Sequence, residues 1–204
     1  MVSEIPVTVR KLEQEIGVPS GFFRGLSQAD DWSFIVKAHA FIEGALSHVL
    51  VHATGREDLR PIFSALETAN SSTGKLAFAE ALELVDKADR RFLRAFSELR
   101  NLLVHDVTQV NFNLDEYVSN LDQQKLQAFA KAFSLVTNGQ DFEFEGQKVS
   151  IVDTARQFPK TSIWYSLMMF STKIYLRKDA AQFASYVELF KKESVRELLR
   201  KKAG

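Results

Sequence analysis

Lys87-Ala88-Asp89-Arg90-Arg91-Phe92-Leu93-Arg94-Ala95-Phe96-Ser97-Glu98-Leu99-Arg100-Asn101-Leu102-Leu103-Val104-His105 carries its large apolar residues at helical spacing. At about 100° per residue, Phe92, Phe96, Leu99 and Leu103 share one side of a helix. Arg94, Glu98, Asn101 and His105 line up on the other. Arg100 stands between the two, roughly 80° from the apolar stripe. This is the strongest amphipathic pattern in the chain, and it predicts a helix that buries its phenylalanines and displays a polar row.

The same period recurs on either side. Phe34, Ala38, Phe41, Ala45 and Val49 form a stripe within Trp32–Leu50, and Gly55 follows as a C-terminal stop. Asp58 and Pro61 open a short helix that ends near Leu66. Asn70–Thr73 reads as a polar loop and Lys75–Val85 as a further helix. Thr108–Asn113 is a loop, and Leu114–Val136 a short helix followed by a longer one. Phe142 and Phe144 alternate with acids before Glu145-Gly146, which predicts a small β-hairpin over Asp141–Val149. Two C-terminal helices are expected after it, Thr161–Arg177 and Ala180–Lys202, with Asp179 as the N-cap between them. Phe183, Val187 and Phe190 would anchor the second of these. The expected fold is therefore mainly all-α, a single domain over residues 1–204. Its helical core spans about 30–136, the hairpin about 141–149 and the C-terminal helical extension about 160–202.

Composition narrows the function classes. The 204 residues hold 26 Lys+Arg against 26 Asp+Glu and no cysteine, which excludes disulfides, thiol nucleophiles and Cys-based zinc sites. Hydrophobic residues at 46% and charged residues at 25% are those of an ordinary globular protein. Ile163–Leu176, read as the longest apolar stretch, is too short and too polar for a bilayer, which needs ~20 apolar residues. With no signal peptide visible, the expected compartment is the cytoplasm, with no membrane association. Charge is uneven: residues 160–204 hold ten Lys/Arg and four Asp/Glu. Either a solvated helix face or a basic patch for RNA or an acidic partner accounts for this, and the patch would include Lys191, Lys192, Arg196, Arg200, Lys201 and Lys202.

Several motifs fail on chemistry. Ser72-Thr73-Gly74-Lys75 suggests a phosphate-binding loop, but Ala69 stands where the first glycine belongs and Leu76 where the Mg²⁺-binding hydroxyl belongs. His48 and His52 share a helix face without a third ligand or an intervening HExxH glutamate. They suit the negative end of a helix dipole instead. His39 and Glu43, one turn apart, read as a solvated pair. No nucleophile elbow is present. No metal site and no cofactor are expected.

Arg100-Asn101-Leu102-Leu103-Val104-His105 is different, because the chemistry of RNA cleavage needs its residue types. Histidine, with an ordinary pKa near ~6.5, transfers protons in either direction at neutral pH. Arginine grips two phosphate oxygens through a planar fork and stays charged. Arg90, Arg91 and Arg94 supply further positive charge for RNA on the same helix. The Arg-x4-His spacing closes an amphipathic helix, follows an Ala-His-Ala-Phe-Ile-Glu helix by some sixty residues, and has Asn101 beside the arginine. In these features the segment resembles the HEPN superfamily over about residues 30–136.

The resemblance implies a helical domain that dimerises through the motif helix and cleaves RNA without metal, with Arg100, Asn101 and His105 as catalytic residues. It also implies a toxin or phage-defence setting, with an antitoxin or operon partner. The same superfamily includes non-catalytic regulators and interaction modules, of which the mannitol operon repressor type is one, and that alternative stays open. A homodimer would double every group on the Arg94/Glu98/Asn101/His105 row, so one motif would supply both an acid and a base.

Overall fold

A computed structural model describes residues 4–70, 72–105 and 107–203; the side chains of 107, 185, 186 and 188–203 lie outside the description. Ten α-helices are found among the described residues: α1 Val7–Ile16, α2 Phe22–Gln28, α3 Asp31–Thr54, α4 Arg60–Ala65, α5 Lys75–Ala81, α6 Lys87–Val104, α7 Leu114–Ser119, α8 Gln123–Ala132, α9 Ile151–Gln157 and α10 Pro159–Ala203. The mainly all-α expectation holds.

The central element is α3. Asp30 caps it by accepting the Ser33 N–H at 2.8 Å, and Gly55 ends it in the left-handed region at φ 64°. By length and composition α3 is apolar enough to cross a membrane, yet 67% of its most apolar window is buried within the protein. It is the core helix of a bundle, covered by α1, α2, α4, α6 and α10. It also exceeds Ile163–Leu176 in length, so the apolar maximum lies earlier in the chain than expected.

The amphipathic stripe of α6 docks as its period requires. Phe92 and Phe96 are fully buried, with Phe92 5.4 Å from Phe170 of α10 and both rings about 6 Å from Phe133 by centroid. Burying each large side chain stabilises by about 1.5–3 kcal/mol, so this aromatic cluster fixes the rotation of α6 and therefore the direction of its polar row. At its start, Asp86 and Asp89 form a reciprocal capping box. At its end, Trp32 Nε1 donates to the Leu103 carbonyl at 3.4 Å, satisfying one of the orphan acceptors of the last turn.

Short elements complete the layer beside α6. Asn113 and Asp122 cap α7 and α8 through their side chains, accepting the Glu116 and Lys125 N–H groups. Asp31 Oδ2 accepts the Leu114 N–H at 2.8 Å, which ties α7 to the start of α3. The segment expected as a loop at Thr108–Asn113 holds a 3-10 helix, Val107–Asn111. The hairpin forms as expected, with strands Phe142–Phe144 and Gln147–Val149 paired antiparallel. Glu145 and Gly146 both have positive φ, 50° and 76°, the two-residue turn whose twist matches the strands.

Four expectations are corrected. The two C-terminal helices are one 45-residue helix, α10. No proline or glycine separates Arg177 from Ala180, so nothing breaks the backbone ladder, and Asp179 pairs sideways with Lys178 at 3.2 Å instead of capping. Phe183 is 70% exposed and anchors nothing. His39 is buried at 5% exposure, not solvated, because α6 packs over it. Helices α1, α2 and α9, in segments where no element was expected, complete the bundle; of these α1 does carry a helical stripe, Val9, Leu12 and Ile16. The basic cluster Lys191, Lys192, Arg196, Arg200, Lys201 and Lys202 lies outside the described side chains.

Candidate nucleic-acid interface

The polar side of α6 faces a groove whose opposite wall is α8. Lys87, Arg90, Arg91 and Arg94 line it from α6, and Lys125 and Lys131 from α8; among the described residues Glu98 is the one carboxylate in the lining. The groove is about 1010 Å³, with Leu99, Leu102 and Phe129 among its apolar lining. Concentrated charge of one sign along a low-dielectric wall attracts counter-ions far more than a neutral net charge implies.

Not all of this charge is free. Arg90 pairs with Glu80. Arg91 Nε donates to the Lys131 carbonyl at 3.2 Å, which stitches α6 to α8 while leaving its charge uncompensated by that contact. Arg94 is exposed. Lys125 lies 3.6 Å from Asp122 Oδ2, a solvated pair of little strength.

All three expected RNA-binding arginines thus share one groove. Lys87, Lys125, Lys131 and Tyr117 belong to it as well, and sequence reasoning missed them. Lys125 and Lys131 sit on a separate segment, and no spacing in the chain announces that α8 packs beside α6. The polar row also finds an explanation within one chain, since Arg94 and Glu98 form a groove wall.

The motif residues divide between two sides of α6. Arg100 Nη1 donates to Asn101 Oδ1 at 3.1 Å, so these two are joined. His105 is the exposed C-cap residue, at φ −89° and ψ −8°. It lies about 40° around the helix from Asn101 and about 140° from Arg100. Neither Asn101 nor His105 lines the groove, whose α6 wall ends at Leu102, and Arg100 is half-buried on the α3 side and reaches Asn101 by its length.

On that α3 side lies a buried polar cluster. His39 Nε2 is 3.3 Å from Ser97 Oγ, Nδ1 is 3.7 Å from Glu43 Oε2, and the ring stacks on Phe96 with centroids 6.3 Å apart. Burial pushes the imidazole pKa down, Glu43 opposes this, and the charges of Arg100 and Lys75 add to the lowering. His39 is accordingly held neutral.

The rejected motifs have structural roles. Gly74 approaches the Glu67 and Asn70 carbonyls so closely that a Cβ would lie 2.4 and 2.7 Å from them. Lys75 is 2% exposed and donates to the Leu66 carbonyl at 2.6 Å. Its ammonium is committed to backbone acceptors, and desolvation lowers its pKa. His48 Nε2 pairs with Glu15 Oε2 at 2.8 Å, and His52 Nε2 lies 3.4 Å from Asp179 Oδ1. The two Nε2 atoms lie near different carboxylates, that of His52 without making a hydrogen bond, and the rings are 6.3 Å apart.

The chain matches no protein-family model, no curated protein and no solved structure.

Proposed function

We propose that this chain is a HEPN-like, metal-independent endoribonuclease, binding RNA in the α6/α8 groove and cleaving it with Arg100, Asn101 and His105. The observation that carries the reading is a groove lined, among the described residues, by six cations and one carboxylate. Its α6 wall ends at Leu102, next in sequence to Asn101 and three residues before His105. A phosphate chain laid against Arg91, Arg94 and Lys131 would run toward the motif.

The reaction follows from the residue types. A base takes the proton from a ribose 2′-OH, whose oxygen attacks the adjacent phosphorus. The bond from phosphorus to the 5′-oxygen breaks, and an acid returns a proton to that oxygen. The products are a 2′,3′-cyclic phosphate and a 5′-hydroxyl. One His105 serves as the base or the acid, and a homodimer bringing two α6 ends together would supply the other. Arg100 would neutralise the phosphorane charge, with Asn101 holding its guanidinium in place.

The test is cleavage of single-stranded RNA by the full chain. His105→Ala should slow it by ~10²–10⁴-fold, the range for losing a general acid or base, and Arg100→Ala comparably. Both variants should stay folded, because neither residue belongs to the Phe92/Phe96 stripe. Substrate lacking 2′-hydroxyls should be inert. Cleavage that survives in both variants, or that EDTA abolishes, sinks the catalytic assignment. RNA binding without cleavage would favour the non-catalytic regulator of the same fold. Arg94→Ala with Lys131→Ala should weaken binding and lower the slope of log affinity against log salt by ~0.7 for each phosphate no longer neutralised.

A further inference from the structure

The α6/α8 groove has a neighbour. Leu102 and Tyr117 line both it and a second, smaller cleft of about 280 Å³ beside the 3-10 helix and α7. The two cavities are therefore neighbours across a shared aromatic and apolar sill. Their linings differ sharply in chemistry. The groove is cationic, whereas among the described residues the cleft has no cation in its lining and offers carboxamides, from Gln109, Asn111, Asn113 and Asn120, with Glu116 as the only charged group.

Phosphate has no reason to enter a cleft of that composition. A nucleobase does. Carboxamides carry a donor and an acceptor side by side, the pairing that matches a base edge. Phe112 and Tyr117 also line the cleft, with ring centroids 5.5 Å apart and planes at 53°, and supply aromatic surface for a planar guest. Single-stranded RNA is read in this manner, by stacking on aromatic rings and by hydrogen bonds to exposed edges, while an A-form duplex hides those edges. The volume lies just under the ~300–1,000 Å³ of ordinary ligand pockets, the scale of one base.

The polar groups further restrict which base fits. Asn113 Oδ1 already accepts the Glu116 N–H at 2.9 Å, which fixes that carboxamide and leaves its amino group as the remaining donor. The Glu116 carboxylate only accepts, so it favours a base with an exocyclic amino group and disfavours uracil, which presents a carbonyl oxygen at that position. Bidentate Asn contacts favour adenine.

We infer that the Asn111/Glu116/Asn120 cleft is a base-recognition subsite that takes one adenine of a single-stranded RNA whose backbone lies in the neighbouring cationic groove. The inference rests on the RNA reading above and gives it a substrate: an unpaired strand with an adenine adjoining the bound phosphates. It divides the labour between two surfaces, one that positions by charge and one that specifies by edge contacts.

The experiment is fluorescence anisotropy on the full chain with 2′-O-methyl adenosine and uridine dodecamers, which cannot be cleaved because the nucleophile is blocked. The adenosine strand should bind on the order of tenfold more tightly, the discrimination of one good bidentate contact. Asn111→Ala with Asn120→Ala should bring the two affinities within about twofold of each other by weakening the adenosine strand alone. Glu116→Gln should narrow the gap without abolishing binding. Both asparagines are exposed, and unchanged uridine affinity in the variant shows that the fold persists. Arg94→Ala with Lys131→Ala should weaken both strands equally and leave their ratio intact. Equal binding of the two strands by the wild type, or a preference that survives the cleft substitutions, overturns the subsite while leaving the groove's role standing. Failure of both strands to bind overturns the RNA reading together with the subsite.

Discussion

Asp89 is fully buried at the first turn of α6, and both its oxygens are occupied: Oδ1 by Lys173 Nζ at 2.6 Å, Oδ2 by Arg177 Nη1 at 2.6 Å. Asp86 shares the same two cations, at 2.7 and 2.9 Å. Desolvation raises the Asp86 pKa, but the hydrogen bonds from Lys173, the Asp89 N–H and Arg177 outweigh it and hold the carboxyl far below the usual carboxylate range. The N-cap acid of α6 and the acid of its first turn thus lock α10 in place. Removing one member of a buried pair costs about 3–5 kcal/mol. Since Asp86 remains and both cations are partly solvated, Asp89→Ala should cost about 3 kcal/mol, at the lower end of that range. Urea denaturation monitored by circular dichroism measures it; a loss under about 1 kcal/mol, the worth of a surface pair, would show that the quartet is only that.

The helix α10 poses the question of continuity at the level of elements. Were a second helix to begin at Asp179, Ala180 would be its first residue, where proline is favoured. In the interior of one helix, proline removes a backbone bond and strikes the preceding turn, costing about 3 kcal/mol. Ala180 is exposed, so Ala180→Pro perturbs the backbone without disturbing the core. The expected outcome is reduced helical ellipticity and a stability loss of that size; a neutral or stabilising effect would restore the two-helix arrangement. The hairpin is the opposite case. Its turn is specified by Glu145-Gly146 alone, and the strand positions followed directly from the sequence.

For the whole molecule, acid sensitivity follows from two histidines on separate surfaces of α3. Burial lowers the His39 pKa, with Glu43 opposing. Burial also lowers that of His52, assisted by the charge of Lys178. A folded-state pKa below the unfolded value means that the unfolded chain binds more protons in the window between them, so stability falls as pH drops below ~6.5. Each fully engaged group contributes up to about 1.4 kcal/mol per pH unit there. The lowered carboxylates, Asp86 and Glu15 among them, add their loss only below about 4. Unfolding free energy should accordingly decline between pH 7 and 5, and His39→Gln should flatten that decline. A curve level over this range in the wild type would contradict the neutral, buried state of His39.

The sequence by itself determined the helices whose apolar stripe is strong and whose ends carry local signals: α3 with Gly55 behind it, α6 with its Phe92/Phe96/Leu99/Leu103 face, the hairpin with its two-residue turn. Periodicity and caps act within a few residues, so they are written in neighbouring letters. Helices α2 and α9 are only seven residues long and form because a bundle covers them, whereas the Val9/Leu12/Ile16 stripe of α1 was present in the sequence and sequence reasoning missed it. The candidate site shows the same division. Arg90, Arg91, Arg94, Asn101 and His105 were legible as one side of one helix. The burial of His39, the turning of Arg100 toward α3, the Asp89 quartet and the groove made with Lys125 and Lys131 each join residues dozens of positions apart. Only the packing of α6 against α3, α8 and α10 decided them, because the orientation of a helix in a core is fixed by its neighbours' side chains and not by its own order of residues.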